Sequence, residues 1–284
     1  MSHDAPAGGA LQSYVDKWLA VQPQQRVALV FVDPLRYPGH VALAALEQEL
    51  LAAAYGIHEP QVAVAKLNWW AEELAGAATS GGRHPLSKVL FDDRRARTVP
   101  RERWLAPVLA ALAQLEDTTS ADFSGQLVAA GRLHGAFAAL ETVWWFGEDA
   151  SSVRAARYAT LAHLLHALRR LQDDAERPRL PLPMARLARY GLSRSELRQP
   201  GPALDPALKA QLADLQAAWR EAAGLPGPLS VFRALESRQH AALARRAARA
   251  AESLAALQEG PSGSALADTF AAWHAARAWR RHAV

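Results

Sequence analysis

Apolar residues recur at three- and four-residue spacing along most of this chain, and clusters of proline and glycine interrupt the recurrence. That spacing predicts amphipathic helices, because positions three and four apart share a helix face. A first helix is predicted over residues 12–19. A longer one starts near His40 after the turn DPLRYPG, buries Leu43, Leu46, Leu50 and Ala54 on one stripe, and stops near Tyr55 and Gly56. Pro60 suits the start of a third helix, predicted over 60–78, which the loop GGRHP then ends.

Further helices are predicted over 100–117 and 122–146. The next is capped by Ser151 or Ser152 and carries Leu161, Leu164, Leu165 and Leu168 toward an acidic cluster ended by Pro178, Pro181 and Pro183. The last three cover 206–222, 230–257 and 265–281, separated by GLPGP and by the stretch from Gly260 to Ser264. No period-two strand series, Gly-rich phosphate loop or internal repeat accompanies them. The pattern therefore predicts one all-α domain over 12–284, with residues 1–11 as a flexible terminus, and disfavours doubly wound α/β architecture.

At 284 residues, half of them hydrophobic, the chain is long enough to bury a large core. It has no cysteine, which excludes disulfides, thiolate zinc sites, cysteine-ligated iron–sulfur clusters and cysteine nucleophiles. The opening MSHDAPAGG has no basic segment leading into an apolar one, and the longest apolar runs, such as ALVFV and YATLAHLL, are too short to span a bilayer. A cytoplasmic location is expected, with any membrane contact peripheral to the inner face. The net charge of +4 is small, but arginines cluster over 233–249 and at Arg277, Arg280 and Arg281. Such patches suit solvated helix faces or anionic headgroups; with no zinc-finger or RNA-binding signature, nucleic acid is disfavoured.

Candidate chemistry is sparse. Asp173 and Glu176, three apart, could converge on a divalent cation. Arg169 and Arg177 lie four residues either side of Asp173 and Arg170 lies four before Asp174, so surface pairing accounts for the same charges. Glu72 and Glu73 form a second acidic group that would face Asp173 across a cleft. Beside them, Trp69 and Trp70 cannot both point inward on one narrow face, so one could line that cleft while the other packs. Trp144 and Trp145 would close one end of a bundle. His163 and His166 lack further ligands at matching spacing, and Asp33 and Asp122 suit turns or caps.

Three strings together carry a resemblance: FVDPLRYPGHVALAALEQELLAAA, VAKLNWWAEELAG followed by HPLSKVL, and LRRLQDDAERPRLPLPMARLARYGLS. Over residues 27–257 the chain resembles the squalene/phytoene synthase superfamily. The resemblance implies an isoprenoid-synthase-like helical bundle with a central cavity. It also implies magnesium held by aspartate-rich motifs, and head-to-head condensation of two prenyl diphosphates in squalene or phytoene synthesis.

The chain departs from the family pattern at both motifs. Glu47 faces Leu51 where the first motif has two aspartates. At the second, Asp173 matches the first aspartate, Arg177 replaces the second and Arg169 replaces the preceding asparagine.

Two accounts remain open on the sequence. In one, the chain is a non-catalytic member without a cofactor that binds a protein partner, a membrane or an apolar ligand. In the other, a magnesium-dependent prenyltransferase binds a prenyl diphosphate: Asp173 and Glu176 ligate the metal, Glu47, Glu49, Glu72 or Glu73 supply the opposing carboxylate, and Trp69 or Trp70 stabilises a carbocation.

Overall fold

A computed structural model describes residues 5–199, 201–261 and 264–282. The described residues form helices joined by turns. In chain order these are α1 (Ala5–Val21), α2 (Arg26–Leu29), α3 (Pro38–Gly56), α4 (Pro60–Ser80), α5 (Pro85–Asp92), α6 (Arg101–Gln114) and α7 (Phe123–Phe146). There follow α8 (Val153–Arg169), α9 (Met184–Tyr190), α10 (Arg194–Arg198), α11 (Leu204–Ala223), α12 (Val231–Arg249), α13 (Ser253–Gln258) and α14 (Ala265–His282). Among the described residues, no helix is long and apolar enough to cross a membrane.

The periodicity places the long helices correctly. Leu43, Leu46, Leu50 and Ala54 are buried along α3, and Asp122 caps α7 by accepting from Gly125 N at 2.8 Å. Four boundaries differ from the pattern. The first helix begins at Ala5 rather than at 12, within a segment expected to be flexible; of that segment, residues 1–4 lie outside the described ones. Pro85 opens α5 where a loop was expected, with His84 accepting from Leu86 N at 3.2 Å. The Pro-rich exit after the acidic cluster itself starts a helix, α9, which closes on Gly191 in the left-handed region at φ 63°. Finally, the helix expected over 230–257 breaks in two. Ala250 is extended, and Ser253 N donates to Asp205 on α11 at 2.7 Å, which restarts the chain as α13. Of the expected loop before α14, residues 262 and 263 lie outside the described ones.

Apolar side chains gather in two clusters. The first joins α1, α3, α6, the later part of α7, the start of α12 and α14, and includes Trp104, Trp144, Trp145 and Trp279. Trp144 approaches α3 so closely that a Cβ on Gly39 would lie 2.6 Å from its ring, so only glycine fits there. The second cluster joins α8, α9, α11, α13 and the end of α12. Helix α12 crosses from one to the other. Val231, Phe232 and Leu235 belong to the first cluster and Leu243, Ala244 and Ala247 to the second, while buried Glu236, Ser237, Gln239 and His240 lie between them. This polar seam positions the site.

Candidate functional site

At the first-cluster end of the seam, one guanidinium meets carboxylates from three helices. Arg233, on the first turn of α12 and 6% exposed, donates through Nη2 to both oxygens of Glu47 on α3, at 3.0 and 2.9 Å. Its Nε reaches Glu141 on α7 at 3.1 Å and its Nη1 reaches Glu236 one turn along at 2.7 Å. Ser230, the α12 cap, donates its hydroxyl to the other oxygen of Glu141 and accepts from Arg233 N at 3.0 Å. Three carboxylates thus share one cation. Burial pushes Glu47 up to about 7, opposed by Arg233 and reinforced by Glu141 and Glu236. The carboxylates hold the Arg233 charge well above its ordinary range despite burial. Around the cluster lie cavities of about 10 Å³, lined by His40, Leu43, Glu47, Phe137, Glu141 and Trp145, and about 30 Å³, lined by Gln25, Gln48 and Arg233 among others. Spaces of this size suit a water or two.

Deeper along the seam, His134 of α7 and His163 of α8 stack at 4.4 Å, and Tyr55 at the end of α3 stacks on His163 at 4.4 Å. Arg177 donates to the Tyr55 carbonyl and Arg179 lies 5.1 Å from the Tyr55 ring. Arg177, which stands where the family resemblance leads one to expect an aspartate, therefore caps a helix C-terminus, where a cation is favoured. Burial lowers His134 to about 3 and His163 well below its ordinary value, and the nearby arginines add to the fall. His166 and His240 fall to about 4 and His40 to about 3, again chiefly through burial.

The acidic cluster after α8 lies outside this interior. The helix stops at Arg169, and residues 170–176 run as turns. Asp173 is exposed. Glu176 is 71% exposed and pairs with Arg198 at 2.8 Å. Asp174, not Asp173, turns inward, meeting Arg177 Nε at 2.8 Å and Arg170 at 3.6 Å. Burial raises its pKa while those two arginines oppose the rise. Surface pairing by arginine, one of the two accounts open on the sequence, describes Asp174 and Glu176. Asp173 makes no ion pair among the described residues. No group of three or more His, Asp or Glu side chains among the described residues is arranged to hold a metal ion.

The α4 residues are likewise placed apart from the seam. Glu73 is buried and organises the turn into α5: its oxygens accept from Arg83 N at 2.6 Å, His84 N at 2.8 Å, Arg83 Nε at 2.9 Å and the Ser87 hydroxyl. Burial works to raise its pKa, but these donors together bring it down to about 2. Glu72 is exposed. Glu49, on α3, pairs with Lys66 at 3.2 Å and Lys17 at 3.8 Å. Trp70 is buried and Trp69 is 39% exposed; both pack edge-on to His84, with centroids at 4.6 and 5.6 Å.

Of the residues singled out in the sequence, only Glu47 reaches the seam cluster. The sequence pattern does not single out its partners Glu141 and Glu236, and it places Arg233 in a basic stretch suited to a solvated helix face or anionic headgroups. A signal was present: Ser230, Arg233, Glu236, Gln239 and His240 recur at helical spacing, so polar residues occupy the face that α12 buries.

The squalene/phytoene synthase family model matches residues 27–260. Among solved structures, the chain is similar to the squalene synthase HpnC from Alicyclobacillus acidocaldarius, with TM-score 0.60 and 14% identity over 97% of this chain and 94% of that one. It is also similar to a dehydrosqualene synthase in complex with ligand, with TM-score 0.68 and 11% identity over 97% of this chain and 98% of that one. At these identities the likeness shows a shared all-helical, isoprenoid-synthase-like fold. No curated protein matches the sequence.

Proposed function

The chain belongs to the squalene/phytoene synthase family, and we propose that it is a non-catalytic member whose helical body serves binding. One contact carries this proposal: Arg233 occupies both oxygens of Glu47, the acidic residue at the first motif position. Magnesium needs free oxygen ligands, and one turn beyond Glu47 stands Leu51, which has none. At the second motif, Glu176 faces Arg198 and Arg177 adds positive charge where an oxygen ligand would serve. The residues present therefore do not fit a magnesium–diphosphate centre.

Opening the first motif would also be costly. Moving Arg233 away would leave Glu141 and Glu236 without their cation, and breaking a buried pair in this way costs about 3–5 kcal/mol. The two cavities beside the cluster are far smaller than a prenyl chain, so the Glu47–Arg233 cluster itself offers no room for one.

Incubating the full chain with farnesyl or geranylgeranyl diphosphate and magnesium, followed by chromatography of the organic extract, tests the proposal. No condensed hydrocarbon or cyclopropyl intermediate is expected. Sustained magnesium-dependent product formation would overturn the proposal and restore the prenyltransferase account.

A further inference from the structure

Helix α14 carries two kinds of side chain on its exposed face. Asp268, Ala272, Ala275, Ala276 and Trp279 turn inward. Asp268 accepts from Gln239 Nε2 at 2.9 Å and faces Arg238 at 3.5 Å, so its charge is spent inside. The opposite face exposes Leu266 (83%), Phe270 (65%) and Trp273 (40%), spaced four and three apart, followed by exposed Arg277, Arg280 and Arg281. At 100° per residue these six positions lie on one side of the helix.

Arg277 sits 5.5 Å from the Trp273 ring, joining the apolar and basic halves. Arg280 donates to the Phe31 carbonyl at 3.0 Å and so ties α14 to a turn on which Val30 and Leu35 are exposed. Among the described residues, no ion pair joins Arg277, Arg280 or Arg281 to a carboxylate.

We infer that this face docks on an anionic lipid bilayer. The argument is charge complementarity joined to an apolar wedge. Leucine and phenylalanine gain by entering the acyl boundary, tryptophan favours the headgroup level, and arginines bind lipid phosphates. The charged side chains on this face of α14 are all arginines, because the helix's one acid is turned inward, and on the adjoining turn exposed Asp33 is offset by exposed Arg36. A second copy of the chain would offer these arginines no carboxylate from the same face, which favours phosphate as their partner. This inference stands apart from the closed interior: the face lies on the outside and would dock whether or not Glu47 and Arg233 remain paired.

The test is co-sedimentation of the full chain with vesicles of equal parts phosphatidylglycerol and phosphatidylcholine, set against pure phosphatidylcholine. Binding is expected to the mixed vesicles only and to weaken as salt is raised. The double variant R277Q/R281Q is expected to bind about twenty-fivefold more weakly, from about fivefold for each charge near the surface. Phe270→Glu should abolish binding, and Leu266→Glu, at a more exposed position, gives the same test with less risk to folding. Val128→Glu, at an exposed position on α7, should bind as the parent does. Circular dichroism and thermal unfolding establish that each variant is folded.

Equal binding to both vesicle types, no binding to either, or full binding by folded Phe270→Glu or Leu266→Glu would overturn the inference. So would a concentration-dependent dimer that Phe270→Glu dissolves without vesicle binding by the parent, since the occupant would then be a second copy.

Discussion

In the interior, three carboxylates from three helices share the single guanidinium of Arg233; on the turn after α8, three carboxylates within four residues face solvent or the arginines at 170, 177 and 198. The same residue types do different work in the two places. Water solvates Asp173 and Glu176, so an exposed pair such as Glu176–Arg198 contributes little and can be lost cheaply. The interior has no such reserve, and each charge there depends on the others being present. A carboxylate at a motif position therefore says little until the group facing it is known.

Acid should separate the two regions most strongly. His40, His134, His163, His166 and His240 are held neutral with folded pKa values far below the ordinary 6.5. The unfolded chain takes up protons below 6.5, whereas folded His40, His134, His166 and His240 do not until about 3–4 and His163 is likewise held well below its ordinary value, so stability is lost as pH falls from 6.5. Each histidine contributes up to about 1.4 kcal/mol per pH unit, and five together approach about 7. Against a typical stability of about 5–15 kcal/mol, unfolding is expected well above pH 4. Circular dichroism against pH checks this. A fold that survives at pH 4 would mean that the seam is wetter than its burial implies.

Arg233→Met is the next largest break, expected to cost about 3–5 kcal/mol because it strands Glu47, Glu141 and Glu236. Glu47→Gln should differ from the parent chiefly in its pH dependence, since burial raises the Glu47 pKa and glutamine cannot titrate. Its sign has a pH signature. The folded pKa is raised, so the Glu47 contribution declines as pH rises from about 4.5 to 7, and the variant should lose that decline. Denaturant unfolding at pH 6 and pH 8 measures both effects.

Glu73 sharpens the contrast, because it is a buried carboxylate that shares its donors with no other acid. Glu73→Gln should cost about 2 kcal/mol through lost charge-assisted hydrogen bonds. The lowered pKa means that this stability is present above about pH 4.5 and vanishes as pH falls toward 2. Glu176→Gln, on the exposed turn, should change stability by less than about 1 kcal/mol, and by less still in high salt. A larger loss there would erase the distinction between the regions.

The long helices were legible because two or more turns of apolar spacing repeat within each, as in α3 and α8. Helices α5, α9 and α10 were not, since five to eight residues give the period too little room, and Pro85 and Pro183, which interrupt the apolar pattern, also precede or open a helix. The split between α12 and α13 depends on Asp205, 48 residues away from Ser253. The seam was hidden for the same reason: Arg233 finds Glu47 across 186 residues and Glu141 across 92. Glu47 drew notice for its motif position, whereas only the fold reveals that its oxygens are already taken. Asp173 and Glu176 looked convergent at helical spacing, but α8 ends at Arg169 and the spacing rule ends with it.

We propose that Arg233 and Arg198 take up the Glu47 and Glu176 carboxylates that would otherwise be open to magnesium. Titration calorimetry of inorganic diphosphate into the full chain, in buffer with excess magnesium at neutral pH, tests it most directly. No saturable heat is expected from the parent, and none from Asp173→Asn or Glu47→Gln. A magnesium-dependent site of one diphosphate per chain, abolished by either substitution in a folded protein, would contradict the account.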